Sequence, residues 1–206
     1  MSRVLPILFN TDMVLEILDG RKTVTRRLIK SQPPYDVQCP LGYCTDGYKS
    51  EIGKFAFGSH EDGGKMIFCK PPYQQGNILY VRETWLDYAG RFMYKADCDK
   101  YRLESLKLAE FNWRPSIHMP KEAARIWLKV NDVRVERLQE ITIDDIRNEG
   151  LTSMSVHAGD MVIALEEWKI LWNSTIKKSD IDLYGWDANP WVWVIEFEWC
   201  EKPENF

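Results

Sequence analysis

The stretch Gly20–Lys30, GRKTVTRRLIK, decides how the rest of the chain is read. Arg21, Lys22, Arg26, Arg27 and Lys30 crowd into it without one acid among them. The whole chain of 206 residues carries 27 Lys+Arg against 31 Asp+Glu, a formal net charge of −4, so these cations stand against an acidic background. Such a balance argues against non-specific coating of nucleic acid, which draws its affinity from many phosphate contacts. It leaves room for a small basic site, serving an anionic ligand or a reaction that needs a cation.

On the N-terminal side, Asn10, Thr11 and Asp12 offer helix caps. Met13, Val14, Ile17 and Leu18 then repeat with helical spacing until Gly20 supplies a stop. Thr23, Val24 and Thr25 favour extended structure, so Lys22–Leu28 reads as a strand or a bent approach to one. Residues 31–75 are rich in Pro, Gly, Tyr and Asp and read as an insertion of loops and a hairpin, expected to line or cover the pocket. Beyond a Gly76-Asn77 turn, Ile78–Trp85 (ILYVRETW) reads as a strand that sets Leu79, Val81, Glu83 and Trp85 on one face. Glu83 among apolar neighbours reads equally as a site residue or as half of a buried ion pair with Arg27 or another cation.

Further strands fit Arg91–Lys95, the run Ala123–Leu138 as one or two strands, and Trp191–Cys200 as a central or closing strand. Thr142 with Asp145 forms a capping-box pattern ahead of a short helix, Ile143–Asn148, stopped by Gly150. A longer helix starts near Asp160, with Ile163, Leu165, Trp168, Leu171 and Trp172 as its apolar stripe. The pattern is a mixed α+β domain with one core, residues 1–206.

No run approaches the ~20 apolar residues of a membrane span, so a cytoplasmic protein with no membrane partner is expected. The five cysteines are odd in number and lack CxxC spacing, which indicates neither a disulfide framework nor a metal site, and no cofactor is expected. His118 reads as a proton shuttle or, more simply, as a hydrogen-bonded structural residue, and Trp85, Trp113 and Tyr94 as core aromatics or stacking platforms. His60 and His157 fall in loop-like sequence.

Gly20, Lys22, Thr25 and Arg27, placed after a short helix and before strand-rich sequence, resemble the GxKxx(E/T)xR signature of the ASCH domain. QQGNILYVRETW and WVWVIEFEW resemble strands of the same family, and FNTDMVLEILDGRKTVTRR, WRPSIHMPKEAARI and NPWVWVIEF resemble ASCH proteins of phages and prophages. The resemblance implies a PUA-like mixed β-barrel with a few short helices, 31–75 being an addition. Thr25 stands where many ASCH domains have Glu, and GRKTVTRR resembles the GRKTxTxR stretch of bacterial N4-acetylcytidine amidohydrolases. That likeness implies a catalytic set of Lys22, Thr25 and, by aligning ITIDDIRNEGLT, Glu149.

The implied reaction is removal of an acyl group from the N4 nitrogen of a cytidine derivative. A threonine hydroxyl needs a nearby base, which a lysine of lowered pKa supplies, and Arg21, Arg26 and Arg27 with partial burial are expected to lower Lys22. Glu149 would protonate the leaving amine. On a regular strand Lys22 and Thr25 point to opposite faces, so they meet only if the chain bends there. Arg21, Arg26, Arg27, Arg82, Glu83 and Trp85 are the expected substrate-binding residues for a nucleoside or RNA partner. Two other readings use the same basic pocket: a non-catalytic RNA-binding module and a ribonuclease.

Overall fold

The computed structural model describes residues 3–59 and 64–204; His60 lies outside them. The chain runs through β1 (Val4–Leu8), α1 (Thr11–Leu18), β2 (Val24–Leu28), β3 (Cys39–Tyr43), β4 (Phe55–Gly58) and β5 (Met66–Cys69). It continues as β6 (Ile78–Arg82), β7 (Trp85–Tyr88), β8 (Arg91–Tyr94), α2 (Lys100–Leu108) and β9 (Trp127–Arg137). The last third holds α3 (Ile143–Asn148), α4 (Met154–Ala158), α5 (Met161–Thr175), α6 (Ile181–Tyr184) and β10 (Trp191–Trp199). This is a mixed α+β arrangement. Its main sheet has the order β1-β6-β9-β10-β2, with β1 parallel to β6 and the other pairs antiparallel.

β10 explains the layering. Its residues are apolar on both faces: Trp191, Trp193, Ile195 and Phe197 enter one core, and Val192 and Val194 enter another. A strand buried on both faces belongs in the middle of a sheet, and β10 indeed lies between β9 and β2. The larger core also takes Ile7, Leu79, Leu128 and the insertion residues Phe55 and Phe57. The smaller one joins Val24 to Ile146 of α3, Val156 of α4, and Ala164, Trp168 and Trp172 of α5. β1 and β2 remain the sheet's edges, and the strand pairings of the described residues close no barrel.

Residues 31–75 hold more order than loops and one hairpin: β3, β4 and β5 form their own three-stranded antiparallel sheet. On α5 the buried face is Ala164, Trp168 and Trp172, while Ile163 is half exposed and falls off the expected stripe. Ala123–Leu138 yields one strand, β9, preceded by a short 3₁₀ turn over Lys121–Ala123.

The expected strand Ile78–Trp85 breaks after Arg82. Leu79, Val81 and Glu83 do face inward, but Glu83 leaves the ladder and its amide points at the Met119 sulfur, 3.2 Å away. Its carboxylate, 1% exposed, receives Arg125 in a two-pronged pair at 2.9 and 3.1 Å. Arg125 continues to Asp97 and stacks 4.0 Å from the Tyr94 ring centroid, whose hydroxyl donates to Ala123 O. Burial pushes the Glu83 carboxyl above its usual range, with Arg125 opposing.

Glu83 is thus a structural tie, partnered by Arg125 and not by Arg27. Arg125→Ala should destabilise the fold by about 2–3 kcal/mol, the lower end for removing one partner of a buried pair because Arg125 reaches solvent. Glu83→Gln combined with Arg125→Met should recover most of that loss. Urea unfolding midpoints of Arg125→Ala, Glu83→Gln, Arg125→Met and the double variant check it; a double variant whose loss equals the sum of its two single losses would refute the tie.

Candidate active site

The site begins where α1 ends. Gly20 adopts φ +72°, a left-handed stop, and the Glu16 carbonyl then accepts the amides of both Arg21 and Lys22, at 2.9 and 3.0 Å. Lys22 therefore lies in a bend ahead of β2, which starts at Val24 and not at Lys22. Strand alternation does not govern it.

Buried beside the larger core, the Lys22 ammonium donates to Glu149 Oε2 at 2.6 Å and to the Glu149 carbonyl at 2.9 Å. Both side chains are sealed, at 0% and 2% exposure. Glu149 caps the C-terminus of α3, an end that repels a carboxylate. The Lys22 charge offsets that repulsion and satisfies a terminal carbonyl as well. The other carboxylate oxygen, Oε1, accepts the Arg26 backbone amide at 2.8 Å. β2 is an edge strand, so this outward amide would otherwise stay unpaired.

Gly150 makes the approach possible. It has φ +97°, and a Cβ there would sit 2.8 Å from Glu16 Cβ and 3.3 Å from Lys22 Cβ.

Alternation along β2 separates its residues. Val24 joins the core on the helix side, and the Arg26 guanidinium, 0% exposed, lies 3.1 Å from Glu136, 3.3 Å from Asp145 and 3.4 Å from Glu149. Arg134 stands in the same sheet row and pairs with Glu136, Glu196, Asp145 and Asp132. Burial works against ionisation of Asp145, but its hydrogen bonds from Thr142 and the Arg26 charge outweigh this and hold its carboxyl low.

On the other face, Thr25 and Arg27 follow one another. Arg27 sits 5.3 Å from the Phe9 ring centroid and donates to the Leu8 carbonyl, bridging the two sheet edges.

Thr25 and Glu149 both line a cavity of about 520 Å³. Trp168, Leu171 and Trp172 of α5 form an apolar wall, and Lys30 and Lys177 stand at the exposed rim. Trp172 Nε1 donates to Tyr184 O, and the Tyr184 hydroxyl donates to Lys30 O, tying α6 to the end of β2. Among the described residues the Thr25 hydroxyl makes no hydrogen bond, to Lys22 or any other, and the buried Trp168 Nε1 has no partner either. A free hydroxyl, Glu149 and a wall of indoles face one space, with Lys22 bonded to Glu149 and not itself on the lining.

Burial holds the Lys22 ammonium below the ordinary lysine value of 10.5, against the pull of Glu149; Arg27 and Arg26 lower it further. Burial is thus the leading cause, and Arg21 takes no part. That side chain turns away to Glu16 and Asp19 and borders a separate hollow with Arg147 and His157.

Of the expected binding residues, Arg27 alone presents its side chain to the cavity free of a carboxylate among the described residues; Arg26 lines it too, yet its guanidinium is buried among acids. Arg82 donates to Ile117 O, Glu83 is held by Arg125, and Trp85 packs with Met119 and Ala123, all away from it. His118 is exposed and also outside it.

No described residue of 31–75 lines this cavity, contrary to the expected role of the insertion; α5 and α6 take that place. The contribution of Trp168, Trp172 and Tyr184 escapes a sequence reading, since a Trp pair at i, i+4 is first of all a core stripe.

Gly150→Ala should destabilise the protein by about 1–3 kcal/mol from backbone strain, with a further loss from the clash against Glu16 and Lys22. Gly20→Ala, equally left-handed but with open space around it, should cost visibly less. Thermal unfolding of the two variants compares them; equal losses would mean that Gly150 is not needed for close approach. Searches for similar family models, characterised proteins and solved structures returned no significant match.

Proposed function

We propose that this chain is an ASCH-type amidohydrolase, on a PUA-like barrel scaffold, that removes an acyl group from the N4 nitrogen of cytidine derivatives. The observation that carries the reading is the Lys22–Glu149 pair, buried and 2.6 Å apart, beside the unengaged hydroxyl of Thr25 on a cavity wall. The GxKxxTxR resemblance supports the family. The curled order β1-β6-β9-β10-β2, with Arg27 reaching from one edge to Leu8 on the other, supports the barrel.

In this reading a proton passes from Lys22 to Glu149 across their short hydrogen bond, and the amine so freed, the form that burial favours, accepts the Thr25 proton as Oγ1 attacks the acyl carbonyl carbon. The C–N bond breaks as N4 takes a proton from Glu149, which recovers one from Lys22 across their short hydrogen bond. Water then attacks the acyl-threonine, yielding the free carboxylic acid and restoring the hydroxyl. The cavity volume suits a nucleoside, and the indoles of Trp168 and Trp172 offer faces for a base.

Incubation with N4-acetylcytidine should release cytidine and acetate. Thr25→Ala should abolish release, and Glu149→Gln should lower kcat about 10²- to 10⁴-fold, the ordinary share of a positioned acid–base group. No release by the wild-type protein would sink the reading for this substrate; ligand binding without release would favour a binding module.

The step needs Lys22 deprotonated while Glu149 still holds a proton, so kcat/KM should rise with pH on a limb below 10.5, since burial lowers this lysine, and fall again once the pair loses its last proton. A profile flat from pH 5 to 10, or an unchanged rising limb in Lys22→Met, would remove Lys22 as the base.

A further inference from the structure

A second cavity, of about 590 Å³, adjoins the first across β2. Arg27, Leu28 and Lys30 line both. Its remaining walls come largely from the insertion, including Phe68, Lys70 and Tyr73, with Trp193 of the sheet. Among the described residues no acidic one lines it. Arg27, Lys30 and Lys70 have no carboxylate within 4.0 Å among the described residues, although the chain is acidic overall.

Three unpaired cations beside aromatic rings suit an anion that carries a flat ring. Arg27 follows Thr25 by two residues on the same face of β2, about 7 Å along the strand by the rise of a pleat. A ligand whose reacting end lies at Thr25 thus meets Arg27 next and the second cavity beyond it. Arginine is suited to receive two phosphate oxygens at once.

We infer that the substrate is an acylated cytidine within a nucleotide strand, with its bridging phosphate on Arg27 and Lys30 and the neighbouring nucleotide in the second cavity. This rests on the amidohydrolase reading for the identity of the first base. It gives the insertion a task, that of building the neighbour's subsite from Phe68, Lys70 and Tyr73.

Calorimetric titration of the full chain with cytidine, cytidine 5′-monophosphate and the dinucleotide cytidylyl-cytidine tests it. The dinucleotide should bind at least ten-fold tighter than cytidine and tighter than the monophosphate. Its advantage should shrink from 50 to 200 mM salt, as phosphate contacts do. Lys70→Ala should reduce the advantage, and Lys30→Ala with Lys70→Ala should remove it, circular dichroism showing both variants folded.

Equal or unmeasurable affinities, a monophosphate as tight as the dinucleotide, or an advantage that survives the double substitution would each overturn the inference. Turnover of N4-acetylcytidine without a dinucleotide advantage defeats the subsite alone. A dinucleotide advantage without turnover defeats the hydrolase reading alone.

Discussion

The ion pair between Lys22 and Glu149 joins three parts that the sequence keeps far apart: the stop of α1, the edge strand β2 and the end of α3. Each member would be costly on its own. An unpaired ammonium or carboxylate at that depth loses its hydration, and a carboxylate at a helix C-terminus meets a like partial charge. Together they also satisfy a helix carbonyl and a strand amide. The burial that makes the pair necessary is also what lowers the lysine.

Much of the fold can be read from the chain. The doubly apolar run Trp191–Trp199 identifies a central strand, Thr142 and Asp145 form both halves of the capping box, and Gly20 stops α1. These features are local and follow from periodicity or backbone freedom. The break after Arg82 is not local: it exists because Glu83 has a partner 42 residues away in Arg125. The order in residues 31–75 depends likewise on Phe55 and Phe57 reaching Trp193 and Trp191 across the core.

The site divides the same way. Lys22, Thr25 and Arg27 are marked by the spacing of one short segment, and the structure sets Thr25, Arg27 and Glu149 on the cavity wall with Lys22 behind Glu149. The cavity's far wall is carried by α5 and α6, which packing against Val24 and Val194 brings over β2. Arg26 and Arg27 look interchangeable in sequence, yet the pleat sends one into a cluster of carboxylates and the other toward open space.

That alternation gives β2 a polarity across its own thickness. On one side Lys22, Arg26 and Arg134 are outnumbered by Glu136, Asp145, Glu149, Glu196 and Asp132, while on the other Arg27 shares a cavity with Lys30 and Lys70. The strand works as a thin electrostatic partition, acidic behind and cationic in front. For the elongated, singly charged ligand proposed above, such a partition would leave a single low-energy way round, setting its direction of approach before any contact with Thr25.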